Sequence, residues 1–368
     1  MAGTRFDVAV IGAGPAGSAC AASLCRRFPG LTVLLLERTR FEEQRIGEVL
    51  PAAALPVLRQ IGFSKERLVG MSSSSHIASS AWGDARLLET HHLFSAAGQG
   101  FHLDRNRFDA ALCFHAEASG AQVRRACSLR AAEREGEDWH LELSDGASVL
   151  SRFVVEATGR RCAFARGQGV RPQMLDRLIA YSRFFREGEC DEKSIAIEAC
   201  RHGWWYTAPH PGGRRIVSFL SDVDLARERG LPSSEAWTAL FDETEHVAKL
   251  VHDVECGDEI VVRPASTGAL SVAGGDGWLA TGDALASCDP LAAQGITKAL
   301  HSGVLASFVA VDALQGRAHE AHSRYGALMA RHMEGFLRMH AVHYAHEMRW
   351  PDMPFWSRRH GVRLEEAA

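Results

Sequence analysis

The first forty residues of the chain consist of two short apolar runs with a small-residue segment between them. Residues 6–11 are a β-branched run that ends at a glycine, which is typical of a buried parallel strand. Residues 16–27 have the small side chains and the length of a helix that lies against a sheet, and residues 31–36 form a second buried run. The pattern predicts a β-α-β unit with a right-handed crossover.

The apolar period changes several times in the rest of the chain. Residues 104–118 have a helical period, whereas residues 178–222 alternate in the way expected of an antiparallel sheet. The Ser-rich stretch 72–92 lacks a helical period and is interpreted as strands or loops. Two long helices are predicted over residues 294–314 and 317–348.

Composition narrows the class of protein. The 368 residues are 46% hydrophobic and 23% charged, with a formal net charge of -4, so we expect a globular protein without electrostatic attraction to nucleic acid. No apolar run approaches the roughly 18 residues of a membrane-spanning helix, and the N-terminus lacks the apolar core of a signal peptide. We therefore predict a cytoplasmic protein without a membrane span. Nine cysteines without a Cys-x-x-Cys pair argue against a disulfide framework or a zinc cluster.

A glycine-rich loop connects the first predicted strand to the first predicted helix. It has the G-x-G-x-x-G spacing, in which the first glycine permits a tight turn, the second lets the backbone approach a pyrophosphate and the third lets helix pack on strand. The helix N-terminus adds free N–H groups for the anion. Glu37, at the end of the second predicted strand, can accept the ribose hydroxyls of an adenosine. The loop residues that we expect to bind a dinucleotide are Gly12, Ala13, Gly14, Pro15, Ala16 and Gly17.

Two later segments favour FAD over NAD as the dinucleotide. A buried run that ends at residue 156 is followed by small residues that let the chain pass beside the adenosine end of the cofactor. Farther on, after a glycine, Asp283 can accept a hydrogen bond from a ribityl hydroxyl. The next loop enters a helix whose first amides can face the N1/C2 side of a flavin, where negative charge collects on reduction. The residues that we assign to FAD from these segments are Ala157, Thr158, Gly159, Gly282, Asp283, Pro290, Gln294, Gly295 and Ile296, to which we add Leu129.

The order of these motifs resembles that of FAD-dependent monooxygenases of the p-hydroxybenzoate hydroxylase type. Geranylgeranyl reductases and flavin-dependent halogenases share that architecture. The resemblance includes the Arg-x-x-Phe-Asp segment that begins at Arg105. It implies that Arg38 and Arg105 lie near the FAD phosphates or the ribityl chain, and that Gly47 and Glu48 line the path of the isoalloxazine ring.

Three further segments resemble a narrower branch of this superfamily. They are residues 46–51 (Ile-Gly-Glu-Val-Leu-Pro), 203–209 (Gly-Trp-Trp-Tyr-Thr-Ala-Pro) and 349–356 (Arg-Trp-Pro-Asp-Met-Pro-Phe-Trp). They are similar to the halogenase-like flavoproteins that accompany oxidases and amine dehydrogenases with protein-derived quinone cofactors. The resemblance implies that the substrate is a tryptophan or tyrosine side chain of a partner protein, or a small aromatic molecule.

A halogenase and a monooxygenase make different demands on the site. A flavin halogenase needs an amine that carries or polarises hypohalous acid, and the halogenase family supplies a lysine after its second helix. The corresponding segment here, residues 71–82, contains no lysine, Lys65 lies earlier in the chain, and the W-x-W-x-I-P segment of halogenases is absent. We therefore predict an FAD-dependent monooxygenase that hydroxylates an aromatic substrate. Halogenation, lipid double-bond reduction and a flavin-bound maturation role without turnover are the alternatives.

Neither a nicotinamide domain nor a metal site is predicted. No second G-x-G-x-x-G follows a strand, so electrons come from transiently bound NAD(P)H, from a separate flavin reductase or from the substrate. His340, His343 and His346 recur every third residue, whereas a metal site on a helix prefers i,i+4 histidines with a carboxylate. We interpret the three histidines as a solvated or packed helix face.

Four residues are predicted to act in catalysis or to line the substrate. They are His76, Trp205, Pro290 and Gly295. His76 could assist proton transfer, although a histidine in a β-region is more often simply hydrogen-bonded. Four aromatic residues could wall a substrate ring or only pack on a sheet face, namely Trp82, Trp204, Trp205 and Tyr206.

The expected fold is an α/β (α+β) composite with FAD extended between two sheets. It combines a Rossmann-like FAD domain, an antiparallel-sheet substrate domain and a C-terminal helical tail. The predicted bounds are residues 1–70, 97–168 and 268–312 for the FAD domain, 71–96 and 169–267 for the substrate domain, and 313–368 for the tail.

Overall fold

The computed structural model describes residues 4–75, 77–91, 99–186, 194–251, 257 and 259–361. The α-helices in these residues are α1 (Pro15–Arg27), α2 (Leu55–Gln60), α3 (Arg105–Ala118), α4 (Ala163–Gly167), α5 (Val223–Glu228), α6 (Ser234–Asp242), α7 (Gly295–Leu314), α8 (Ala318–His346) and α9 (Pro354–His360).

The strands of the first half of the chain are β1 (Thr4–Ile11), β2 (Val33–Leu36), β3 (Val49–Leu50), β4 (Ser72–Ser75), β5 (Ile77–Ala81), β6 (Leu88–His91), β7 (Gly100–Leu103), β8 (Gln122–Arg124), β9 (Leu129–Glu135), β10 (Asp138–Leu143) and β11 (Ser148–Glu156). Those of the second half are β12 (Pro172–Met174), β13 (Leu178–Arg186), β14 (Ser194–Cys200), β15 (Gly203–His210), β16 (Arg214–Asp222), β17 (Val261–Pro264), β18 (Gly268–Leu270), β19 (Gly274–Gly275), β20 (Trp278–Ala280) and β21 (Ala286–Ser287).

The first sheet has a parallel centre, in the order β20-β11-β1-β2-β8. Strands β1, β2, β11 and β20 are buried apolar runs, which is why they occupy the centre of a sheet covered on both faces. Helices α1 and α7 pack against each other, and they can cross closely because Gly303 has no side chain. A Cβ at this position would overlap the backbone of Ala16. The carboxyl ends of the four strands meet at one edge, where α/β sheets bind their ligands.

The second large sheet has the order β17-β13-β16-β15-β14-β5-β6. All of its neighbouring strands are antiparallel except β14 and β5, which run parallel. Two three-stranded sheets, β3-β7-β4 and β12-β18-β21, complete the structure. Strand β4 lies in the segment that we assigned to the substrate domain, yet it pairs with β7, which lies in the segment assigned to the FAD domain.

The C-terminal helices pack onto the rest of the molecule. Helix α8 lies against α7 and α9, and Phe355 and Trp356 of α9 are buried in a cluster with Trp204 and Tyr344. No helix within the described ranges has the length and apolar character needed to cross a membrane. The predicted α/β fold with its C-terminal helices is confirmed, whereas the domain boundaries stay a prediction.

Candidate functional site

The glycine-rich loop after β1 provides an open cradle at the start of α1. Gly12 has a φ of +107°, and a Cβ there would lie 2.5 Å from the carbonyl oxygen of Ala157. A Cβ on Gly17 would overlap the carbonyl oxygen of Gly12, whereas a Cβ on Gly14 would meet nothing within 4 Å. The outer two glycines therefore allow close packing, while the space beside Gly14 is free for a phosphate group at the helix N-terminus.

A buried carboxylate lies next to this loop. Glu37 follows β2, and its two oxygens accept hydrogen bonds from the N–H of Ala13 (3.2 Å) and from the N–H and hydroxyl of Thr39 (3.1 and 2.7 Å). Arg45 lies 3.3 Å from Glu37 and 2.8 Å from Asp109. Arg45 was not among the predicted residues, because its only local signal is its position eight residues after Glu37.

Two arginines implied by the resemblance lie in different surroundings. Arg105 is largely buried, pairs with Asp109 of the same helix, and donates from Nη1 to the carbonyl oxygens of Ile46 and Gly47 over 3.0 Å. It thereby holds the segment before β3 against α3. Arg38 is half exposed and pairs with Glu43 at 2.9 Å.

The second acidic residue assigned to the cofactor is held by two cations. Lys298 of α7 lies 2.9 Å from Asp283, and Arg160 lies 3.6 Å from its other oxygen. Burial alone would raise the pKa of Asp283, but these cations lower it below its usual range, so the carboxylate is ionised. Lys298 also donates to the carbonyl oxygen of Ala286 and lies 3.6 Å from the sulfur of Cys288.

The loop before α7 ends at an uncapped helix N-terminus. Residues 290–292 form a 3₁₀ turn, Ala293 adopts a left-handed conformation (φ +50°), and no side chain caps the helix at Gln294. The first N–H groups of this 20-residue helix are therefore available to a partner that carries negative charge.

These elements surround one cavity of 1510 Å³. Its volume exceeds the roughly 300–1,000 Å³ of a pocket for one drug-sized ligand, so it has room for a dinucleotide and a second molecule. Predicted residues that line it are Gly12, Gly14, Pro15, Ala16, Glu37, Arg38, Gly47, Glu48, Arg105, Leu129, Ala157, Thr158, Gly159, Asp283, Pro290, Gly295 and Ile296. Predicted residues that do not line it are Ala13, Gly17, Gly282, Gln294 and Trp205. Ala13, Gly17 and Gly282 still shape the loops that face it.

Strand β15 turns Trp204 and Tyr206 towards the cavity and Trp205 away from it. Trp204 and Tyr206 line the cavity. Trp205 points to the other face, because successive side chains of a strand alternate, and it packs 5.1 Å from Trp237 and 4.9 Å from Phe219. Trp205 is therefore a packing residue. His76, which was also predicted to act in catalysis, lies outside the described residues.

One carboxyl group in the cavity wall has a raised pKa. Glu48 is 1% exposed, and its Oε1 accepts the N–H of Gly47 (3.1 Å) while its Oε2 has no hydrogen-bond partner. Burial raises the pKa of Glu48 to about 7, and its own backbone N–H, Arg105 and the Gly47 N–H offset this only in part. Glu48 can therefore gain or lose a proton near neutral pH.

The residues present fit FAD. The free space at Gly14 can take a pyrophosphate, Glu37 lies where an adenosine ribose is bound in this fold, and Asp283 is an ionised acceptor for a ribityl hydroxyl. The uncapped N-terminus of α7 suits the N1/C2 side of the isoalloxazine ring.

Residues 5–221 match the family model described as FAD binding domain. The chain is 31% identical to LodB of Marinomonas mediterranea, provisionally named an FAD-dependent oxidoreductase, over 96% of this chain and 97% of that protein. These matches confirm that the cofactor is FAD.

Two solved structures illustrate the range of similar proteins. The first is QhpG, described as a peptidyl tryptophan dihydroxylase essential for tryptophylquinone cofactor biogenesis, with 25% identity and a TM-score of 0.77 over 97% of this chain and 79% of that one. The second is CmlS, described as a flavin-dependent halogenase, with 22% identity and a TM-score of 0.86 over 98% of this chain and 68% of that one. The likeness to CmlS shows the fold alone. Together with the family match, these structures bear out the resemblance stated from the motifs.

Proposed function

Because the chain belongs to the family with this FAD-binding domain and is an FAD-dependent oxidoreductase, we propose that it is a monooxygenase that hydroxylates the aromatic side chain of a partner protein. The observation that carries the proposal is the composition of the cavity wall contributed by the second large sheet. Trp204 and Tyr206 of β15 and Ile195 and Ile197 of β14 line it. Aromatic and branched apolar side chains bind a flat electron-rich ring and exclude water from it.

The position of lysines supports hydroxylation over halogenation. No lysine is among the described residues that line the cavity. The ammonium of Lys298 is held by Asp283, Ala286 and Cys288, and that of Lys65 lies 5.4 Å from the ring of Phe101. Lys193 lies outside the described residues.

The opening of the cavity at the protein surface supports a protein substrate. Leu88 of β6 lines the cavity and is 61% exposed, so the cavity extends to the surface at this strand. A tryptophan or tyrosine that projects from a partner protein can enter there. QhpG, whose described substrate is a peptidyl tryptophan, is similar over nearly the whole of this chain.

The chain's own residues would bind, orient and exchange protons. When bound and reduced by NAD(P)H or by a separate flavin reductase, FAD would supply the two electrons that O₂ needs to place one oxygen atom in the substrate ring and to release the other as water. The glycine-rich loop and Glu37 hold the adenosine diphosphate end, and Asp283 holds the ribityl chain. Trp204 and Tyr206 orient the substrate ring, and Glu48 stores or accepts a proton near neutral pH.

The proposal is tested by isotope transfer. The FAD-loaded protein is reduced, mixed with ¹⁸O₂ and with tryptophan or tyrosine peptides, and the peptides are analysed by mass spectrometry with and without added bromide. We expect the gain of one labelled oxygen atom, independent of bromide. A brominated product would identify a halogenase, and a product formed without O₂ would identify a reductase. Either result, or no product with any aromatic peptide or partner protein, contradicts the proposal.

A further inference from the structure

Two residues of α8 reach the loop that precedes α7. His340 and Tyr344 are four residues apart and therefore lie on one face of the helix. The Tyr344 hydroxyl donates to Oδ2 of Asp289 over 2.7 Å, and Nε2 of His340 lies 3.1 Å from the same oxygen. The other oxygen of Asp289 accepts the N–H of Leu291 at 2.8 Å. Asp289 therefore ties the turn of residues 290–292 to the C-terminal helix.

The same hydroxyl contacts a second part of the cavity wall. It accepts a hydrogen bond from Nε1 of Trp204 over 3.0 Å, and Trp204 and Asp289 both line the cavity. Tyr344 itself is fully buried. One buried oxygen atom thus joins the substrate-facing sheet to the loop that we assign to the flavin.

The ring that carries this hydroxyl is fixed by its neighbours. The rings of Trp82 and Trp356 lie 5.5 and 6.0 Å from that of Tyr344, and the guanidinium of Arg359 lies 5.2 Å from its centroid. Trp82 also donates from Nε1 to the carbonyl oxygen of His343 over 2.8 Å. A hydroxyl on a ring held in this way sets the position of its two partners relative to each other.

We propose that Tyr344 is a positioning residue that fixes Trp204 relative to the loop of Asp289 and Pro290, and that α8 is thereby part of the catalytic apparatus. The distance between a substrate ring on Trp204 and a flavin on that loop then depends on a residue far outside the FAD-binding segment matched at residues 5–221. The part of this inference that concerns the substrate rests on the proposed function. The expected effect of Tyr344 on the bound flavin does not depend on the proposed function.

The test compares Tyr344→Phe with Tyr325→Phe in the FAD-loaded protein. Tyr325 is a matched control, because it is a buried tyrosine of the same helix whose hydroxyl donates over 3.0 Å to the carbonyl oxygen of Ala280. Each variant loses one buried hydroxyl, but only the hydroxyl of Tyr344 joins Trp204 to Asp289. Tyr325 contacts the end of β20 through Ala280 and Thr281. The readouts are kcat and KM for labelled product, the share of electrons lost to hydrogen peroxide, and the visible absorption spectrum of bound FAD.

We expect Tyr344→Phe to lower kcat by about 10- to 100-fold with KM changed by less than about three-fold, since a small misplacement of reacting groups has that effect. The share of electrons lost to hydrogen peroxide rises as the yield of hydroxylated product falls, and the absorption bands of the bound flavin shift. Tyr325→Phe keeps the kcat, spectrum and peroxide yield of the parent. The double variant Trp204→Phe/Tyr344→Phe loses less than the product of the two single losses, because the two residues share one hydrogen bond.

Equal spectra and equal product-to-peroxide ratios in the two tyrosine variants would reduce Tyr344 to a packing residue and overturn the inference. If the parent protein hydroxylates no substrate, the proposed function fails. In that case all electrons reduce O₂ to hydrogen peroxide in every variant, and the visible absorption spectrum of bound FAD decides the role of Tyr344.

Discussion

Gly14→Ala is expected to fold normally and to bind FAD more weakly, whereas Gly17→Ala is expected to destabilise the fold itself. A Cβ on Gly14 meets nothing within 4 Å, so the empty protein accommodates it, but the methyl group occupies the space proposed for the pyrophosphate. We expect FAD to bind about 100-fold more weakly, which is about 2.8 kcal/mol. A Cβ on Gly17 would overlap the carbonyl oxygen of Gly12, and the free energy of unfolding should fall by about 3 kcal/mol or more.

Urea denaturation of the FAD-free proteins and titration with FAD separate the two effects. Gly167→Ala is the control, because a Cβ there also meets open space but lies on α4, outside the loop. Its stability and FAD affinity should match those of the parent. Parent-like FAD binding by Gly14→Ala would show that the pyrophosphate does not lie beside this residue.

The FAD cofactor and the α/β fold could be predicted because their signals are local. Each strand end carries its own marker: the glycine-rich loop after β1, Glu37 after β2, Ala157 after β11 and Gly282 after β20. Parallel strands bring these ends to one edge, so the topology alone assembles the markers. The family match and the similar proteins confirm the predicted cofactor and family. The role of each site residue stays a prediction.

The substrate side could not be predicted in the same way. Trp204 and Trp205 are both 1% exposed, so burial and apolar character do not distinguish the face of β15 that lines the cavity from the face that packs on α6. The contact between Asp289 and Tyr344 spans 55 positions of the chain and depends on how α8 docks. A pattern of apolar positions carries no information about such a docking.

Glu48→Gln is expected to remove a large pH dependence from the stability of the FAD-free protein. The pKa of Glu48 rises from an ordinary 4.5 to about 7 on folding because the carboxyl is buried with one oxygen unpartnered. The folded state therefore binds the proton more tightly than the unfolded state. The stabilisation from the protonated carboxyl is fully present below pH 4.5 and is lost as the pH rises through 7.

Glutamine keeps the shape of the protonated side chain without its titration. The free energy of unfolding of the variant should therefore rise relative to that of the parent as the pH rises. The expected difference is about 3 kcal/mol between roughly pH 4 and pH 8, at about 1.4 kcal/mol per pKa unit. Urea midpoints measured across that range give the difference, and Glu142→Gln, a change at an exposed glutamate of β10, should run parallel to the parent. Parallel profiles for Glu48→Gln as well would mean that Glu48 is charged in the folded protein. Glu48 would then be unable to hold or donate a proton at neutral pH and could act only as a carboxylate acceptor.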